Sequence, residues 1–251
     1  MRQYKFKLSK EELKQLTREA KIAYYRDFID VLNISGHNSK IGPGVFAMSF
    51  PIEKTCNKAA SCYKNGTCYA MHGCQRFPCV VGAYERNYRL YRADKTAFWH
   101  MVQEIIIAKK IAVLRLFDAG DAPDVDFWHG VARLARNNPD MIIYGYTKKI
   151  DLYAQFLNEG GILPENVVIW ASQDDALKVT PATTYGLPIA SVAGLHDIGE
   201  NAFICPSRAG HVVTCTKCKY CFSREIIKKH GDRVAFLPHG AGIDKKILAA
   251  I

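Results

Sequence analysis

Apolar residues recur at helical spacing through the first part of the chain. Leu13, Leu16, Ala20, Tyr24, Phe28 and Leu32 fall on one stripe, with Lys and Glu between them. Ser9-Lys10-Glu11-Glu12 has the S-x-x-E form in which serine and glutamate satisfy each other's backbone N–H groups, so a helix is predicted from there to about Leu32. The helical period then stops. Residues 33–44 are rich in Gly, Asn and Ser and predict a loop, one able to offer backbone N–H groups to an anion. The apolar run Val45–Phe50 predicts a short strand, and from Tyr69 to about Lys110 the pattern is helical again, with a break near Pro78.

Beyond Lys110 two patterns alternate. Ile111–Phe117 (IAVLRLF), Met141–Thr147 (MIIYGYT), Asn166–Ser172 (NVVIWAS), Pro188–Ala193 (PIASVA) and Ala202–Cys205 (AFIC) are nearly continuous apolar runs, as strands buried on both faces require. Val234–Leu237 is a candidate for one more. Between them Val125–Asn137 and Ile150–Asn158 predict helices, and Asp174–Lys178 a short acidic one. Strands separated by helices predict a parallel α/β sheet, either a partial (β/α) barrel or an open doubly wound sheet. The reading adopted is a partial parallel (β/α)6 barrel over residues 35–251, with a helical extension at 1–34 and a cysteine-rich segment at about 200–225. No G-x-G-x-x-G, no G-x-x-x-x-G-K-[ST], no internal repeat and no low-complexity linker interrupts it.

The chain has 251 residues, 49% of them hydrophobic, which is enough for a sizeable core. Its formal charge of +10 predicts an anionic partner, either nucleic acid or a small anionic or adenosyl ligand. Arg86, Arg89 and Arg92, interleaved with Tyr84, Tyr88 and Tyr91, form the stretch whose pattern fits stacking on nucleic acid. The same pattern serves a helix that packs its rings and solvates its guanidinium groups. The N-terminal residues contain no apolar leader and no run reaches membrane length, so a reducing cytoplasm is expected and no membrane partner. There, nine cysteines are expected as metal ligands or redox groups rather than disulfides. Cys74 and Cys79 alone fit the plainer reading of buried apolar thiols.

The other seven cysteines fall in two groups. Cys56, Cys62 and Cys68 follow the first predicted strand at C-x5-C-x5-C spacing. Three thiolates leave a bound iron or zinc with a position for an exogenous ligand, unless Cys74 or His72 completes the set. Cys215, Cys218 and Cys221, preceded by Cys205, have the short C-x2-C-x2-C spacing of ferredoxin cluster loops. A structural zinc site would more often show two separate C-x2-4-C pairs. The expected cofactor is one or two [4Fe–4S] clusters, with zinc as the alternative.

Polar residues collect at the ends of the predicted strands, where parallel α/β folds place their reactive groups. Asp118-Ala119-Gly120-Asp121 follows one strand, Thr147-Lys148-Lys149 the next, then Ser172-Gln173-Asp174 and Gly194-Leu195-His196-Asp197. Singly each has a plain role: Asp118 as a cap, Lys148 as a surface charge, His196 as a satisfied loop histidine. Together, at the same end of every strand, they predict one site.

The order N-S-K-I-G (Asn38–Gly42), T-C…C…C-Y-A (Thr55–Ala70), D-x-G-D (Asp118–Asp121), Y-T-K (Tyr146–Lys148) and C-P…C-x2-C-x2-C (Cys205–Cys221) resembles the phage gene product 88 family. The chain departs from its pattern in having Asn57-Lys58 where Pro-Gly is frequent after the first cysteine, and Ala119 where serine is usual; neither change removes a ligand. Membership would place the protein in the cytoplasm of the phage's host. The layout is also similar to radical S-adenosylmethionine enzymes, partial (β/α)6 barrels in which a three-cysteine loop after the first strand binds [4Fe–4S], although their spacing is C-x3-C-x2-C. That resemblance implies S-adenosylmethionine at the open iron, with Asp118 and Asp121 holding a cationic amine and Lys148 an anionic group. Asn38, Ser39, Lys40 and Gly120 are the candidate cofactor-binding residues, and the Cys205–Cys221 group would form an auxiliary cluster. The alternative is a non-catalytic iron–sulfur or zinc protein that binds nucleic acid or a host protein.

Overall fold

The computed structural model describes residues 9–20, 23, 32–36, 38, 41–194, 196, 198–206 and 213–237. The apolar runs form the strands they predict: β1 (Val45–Met48), β2 (Val113–Leu116), β3 (Ile142–Thr147), β4 (Val167–Ser172), β5 (Ile189–Val192), β6 (Phe203–Ile204) and β7 (Arg233–Phe236). All pair in parallel, in the order β1-β2-β3-β4-β5-β7-β6. Seven strands therefore stand where about six were expected. The last inserts between β5 and β6 instead of extending the edge.

The two faces of this sheet are covered differently. Met48, Leu114, Leu116, Ile143, Val167 and Ile169 point to one side, into the larger core. There they meet α4 (Pro78–Ala93), α5 (Lys95–Lys109), α6 (Val125–Asn137) and α7 (Ile150–Asn158). The centre of that core is aromatic: Phe50 lies 5.6 Å from Phe127 and 6.0 Å from Phe98, ring centre to ring centre, and Tyr91 and Trp128 are fully buried beside them. Val45, Tyr144, Val168, Trp170, Ala190 and Val234 point the other way and are covered by the cysteine-rich C-terminal segment. Helices α4 to α7 pack on the first face, the short helices Cys215–Cys218 and Arg224–His230 lie with the second core cluster, and β1 to β5 follow one another in order. A sheet that is parallel throughout suits a (β/α) barrel and an open α/β sheet alike.

Several helix boundaries differ from expectation for local reasons. The Ser9–Glu12 box forms, with Ser9 N–H 2.7 Å from the glutamate and Glu12 N–H 3.2 Å from the serine hydroxyl, and opens α1 (Lys10–Gln15). That helix stops at Gln15; the Thr17 hydroxyl then caps a further helical stretch by accepting from Ala20 N–H at 3.2 Å. Tyr24 and Phe28 lie outside the described residues. Pro78 starts α4 at a position where its missing N–H costs nothing, and Tyr69–Met71 and Gly73–Arg76 are 3-10 turns. The break expected near Pro78 is there, at the extended Phe77, and a second interruption falls at Asp94, whose carboxylate accepts from Ala97 N–H at 2.9 Å and caps α5. Asp174–Lys178 is a turn and not a helix: Asp174 and Val179 pair across it as an antiparallel bridge.

Candidate metal centres

The first cysteine group sits at the C-terminal end of β1. The chain passes through α2 (Ile52–Thr55), capped at its end by Cys56, then α3 (Ser61–Lys64), which carries Cys62, and reaches Cys68 just before a 3-10 turn. Cys68 N–H donates to the Cys62 carbonyl at 3.1 Å and closes the loop. The Cys62 thiol donates to the Cys68 sulfur, so Cys68 ionises more readily than a free cysteine and Cys62 less readily. Burial, then Asp121 and Cys62, push Cys56 up to about 12. The three sulfurs are half-buried; Cys56 feels Cys62, Cys62 feels Cys68, and Cys68 feels both others.

The polar strand ends fasten this loop. At the end of β4 the Asp174 carboxylate accepts the N–H and hydroxyl of Ser61, each at 3.0 Å, next to Cys62. Asp121 accepts from the Thr147 hydroxyl at 2.6 Å, Ala122 N–H at 2.7 Å and Lys148 N–H at 2.9 Å, while its own N–H donates to Thr55 beside Cys56. Burial pushes the Asp121 carboxyl up, and these donors oppose it. Gly120 has φ +82°, and a Cβ there would meet the Phe50 carbonyl oxygen at 2.5 Å; the glycine lets the D-x-G-D turn lie against the start of the cysteine loop. Asp118 is held more loosely, by Arg115 at 3.3 Å and Asn38 at 3.4 Å. The Tyr69 hydroxyl donates to its carbonyl. Lys148 Nζ donates to the Gln173 carbonyl at 2.9 Å and lies 3.4 Å from Asp174. Asn38, Asp118, Gly120, Asp121 and Lys148 are thus brought to one end of the sheet with Cys56, Cys62 and Cys68. Ser39 and Lys40 lie outside the described residues.

Cys215, Cys218 and Cys221 of the second group pack on the opposite face of the sheet. Cys205 follows β6, α8 (Cys215–Cys218) presents two thiols on one turn, and Lys219 at φ 59° reverses the chain into the 3-10 turn that carries Cys221. Trp170 Nε1 donates to the Cys221 carbonyl at 2.8 Å, Tyr220 stacks on Phe203 at 3.9 Å, and Phe222 packs on Tyr144 at 5.2 Å. Gly42, with φ +94°, packs its backbone where a Cβ would collide with Thr214 and Thr216, so the N-S-K-I-G loop supports this segment. Burial, followed by Cys205 and Cys218, raises Cys215, whereas Arg115 and the Tyr144 hydroxyl favour its thiolate. Cys221 is pushed up to about 12 by burial and by Cys215, Cys205 and Cys218, against the Tyr146 hydroxyl.

The profile of the Gene product 88 family matches residues 7–233, across both cysteine groups and the strand ends between them. The chain belongs to the Gene product 88 family. No curated protein and no solved structure matched it.

Around these Gene product 88 motifs, the remaining candidates fall away from the centres. Cys74 and Cys79 are exposed, not buried as expected. His72 Nε2 is paired with the Gly66 carbonyl at 2.6 Å. His196 Nδ1 accepts from Val192 N–H at 3.1 Å, the satisfied loop histidine of the plainer reading. In α4, Arg86 and Tyr91 are buried and Tyr84 bonds Gln75 at 2.6 Å, leaving Tyr88, Arg89 and Arg92 around a shallow groove with Lys54 and Glu85. Among the described residues no helix is long and apolar enough to cross a membrane.

Among the described residues no three His, Cys, Asp or Glu side chains already stand as a finished metal cage; the cysteines are free thiols. The donor chemistry nonetheless fits an iron–sulfur or zinc centre. Thiolates whose like charges suppress one another's ionisation are stabilised together by a bound cation, which deprotonates a coordinating thiol outright. Arg115, Ser61 and Tyr69 were missed as site residues. Arg115 had a visible signal, since it is the one charge inside the strand run IAVLRLF.

Proposed function

We propose that this Gene product 88 protein is an iron–sulfur protein on a radical-S-adenosylmethionine-like partial barrel, with two centres of different coordination. Cys56, Cys62 and Cys68 would hold one cluster with an open iron, and Cys205, Cys215, Cys218 and Cys221 a second, fully ligated one. The observation that supports this is the separation of the thiols into a set of three beyond the end of β1 and a set of four whose Cys215, Cys218 and Cys221 pack on the opposite face of the sheet, with neighbouring thiols helping to raise Cys56, Cys62, Cys215 and Cys221. A three-thiolate cluster supplies redox-active iron with a position for an exogenous ligand.

The chain's own residues would position that ligand. Lys148, near Cys62, supplies positive charge for a carboxylate or phosphate. Of the two carboxylates assigned to an amine, Asp121 is committed to three donors at 2.6–2.9 Å and shapes the backbone. Asp118, with partners at 3.3 and 3.4 Å, is the one an incoming amine could win from the protein. An amino-acid moiety with both charges, as in S-adenosylmethionine, matches Lys148 and Asp118.

EPR of the reduced protein, with and without S-adenosylmethionine, tests this. A changed signal that is lost in Cys62→Ser and weakened in Lys148→Ala supports the open site. Cluster signals indifferent to the nucleotide would remove S-adenosylmethionine from the account. Zinc in place of iron would support the structural alternative.

A further inference from the structure

Two buried donors on the sheet face that packs the Cys215–Cys221 segment have no hydrogen-bond partner among the described residues: Nε of Arg115 on β2 and the hydroxyl of Tyr144 on β3. The two residues are direct cross-strand neighbours in the sheet register. Native folds keep few buried polar atoms unpaired, so two side by side point to an acceptor that joins them.

Their surroundings say which acceptor. Arg115 is fixed from two sides, with one terminal nitrogen 3.3 Å from Asp118 and its guanidinium 5.6 Å from the centre of the Tyr146 ring, which leaves the Nε edge available. Tyr144 packs against Phe222 and Tyr146, in the cluster that Cys215, Cys218 and Cys221 join. Its hydroxyl lies beside the Cys215 thiol without closing a bond of ordinary geometry. Sulfur is the acceptor chemistry facing this pair.

We propose that Arg115 Nε and the Tyr144 hydroxyl donate hydrogen bonds to sulfur of the centre held by Cys205, Cys215, Cys218 and Cys221, and thereby raise its reduction potential. The inference rests on the iron–sulfur reading of that centre. One-electron reduction adds negative charge to the sulfurs, and a fixed donor with a fixed guanidinium charge stabilises the reduced form more than the oxidised one. The donors keep their protons, no bond to them breaks, and the electron comes from an external low-potential reductant. These are positioning groups and not ligands, so the iron should remain when they are altered.

The test is a dithionite potentiometric titration of the full, anaerobically purified chain, followed by EPR, with iron measured on each sample. Tyr144→Phe removes only the hydroxyl, and Arg115→Gln removes the charge together with the Asp118 pair. The expected result is a shift to lower potential in both variants, larger for Arg115→Gln, confined to the signal that Cys218→Ser abolishes, with iron content unchanged in Tyr144→Phe. An unchanged potential in iron-loaded Tyr144→Phe and Arg115→Gln would overturn the inference and leave the iron–sulfur reading intact. Zinc without iron in the wild-type chain would overturn both.

Discussion

Asp174, at the end of β4, accepts both the backbone N–H and the hydroxyl of Ser61, each at 3.0 Å, across 113 positions of sequence. It is almost wholly buried and also takes Lys148 at 3.4 Å, so it ties the loop that carries Cys62 to the far side of the site. Removing one partner of a buried charged network typically costs about 3 kcal/mol. Asp174→Ala is therefore expected to lower the denaturant midpoint by that order and to reduce iron in the three-cysteine centre. Urea unfolding and metal analysis check it.

The same carboxylate gives stability a pH dependence. Burial alone would raise its pKa, but Lys148 and the two Ser61 donors outweigh burial and hold it below the ordinary 3.8. A carboxyl with a depressed folded pKa contributes stability that is full above its unfolded value and is lost as pH falls through the folded one. Unfolding free energy measured on acidification below 3.8 should fall less steeply in Asp174→Asn than in wild type, from a lower starting value at neutral pH.

Much of this architecture was legible in the sequence. Buried parallel strands need near-continuous apolar runs, and the six runs and the candidate at Val234–Leu237 form the seven strands. Their order was not legible, because the insertion of β7 between β5 and β6 depends on which edge each strand meets. The break at Asp94 was hidden by apolar periodicity that continues across it. The cysteine groups could be read from spacing alone, whereas their supports could not. Ser61 and Thr55 act through partners 113 and 66 positions away, and ordinary residues with distant partners leave no local pattern. The Arg and Tyr pattern of α4 is ambiguous for the converse reason: a helix face that buries Arg86 and Tyr91 looks the same in sequence as one that displays them.

Gly120→Ala places a methyl group against the Phe50 carbonyl and the Thr55 hydroxyl, at a φ of +82°. Strain of this kind costs of order 1–3 kcal/mol. The D-x-G-D turn must then move off the cysteine loop. Lower thermal stability is expected, together with loss of the three-cysteine centre ahead of the four-cysteine one, read as iron content per chain.

The two cysteine sets should fail independently. Cys56→Ser, Cys62→Ser or Cys68→Ser is expected to remove about half of the iron and one EPR signal, and Cys215→Ser or Cys221→Ser the other half, on a count of four irons per cube. Cys74→Ser and Cys79→Ser, both at exposed positions, are expected to leave iron unchanged.

The most direct measurement is quantitation of iron, acid-labile sulfide and zinc in anaerobically purified protein. Two [4Fe–4S] centres predict about eight iron and eight sulfide per chain, with visible absorption that bleaches on reduction. Stoichiometric zinc with neither iron nor sulfide would contradict the account.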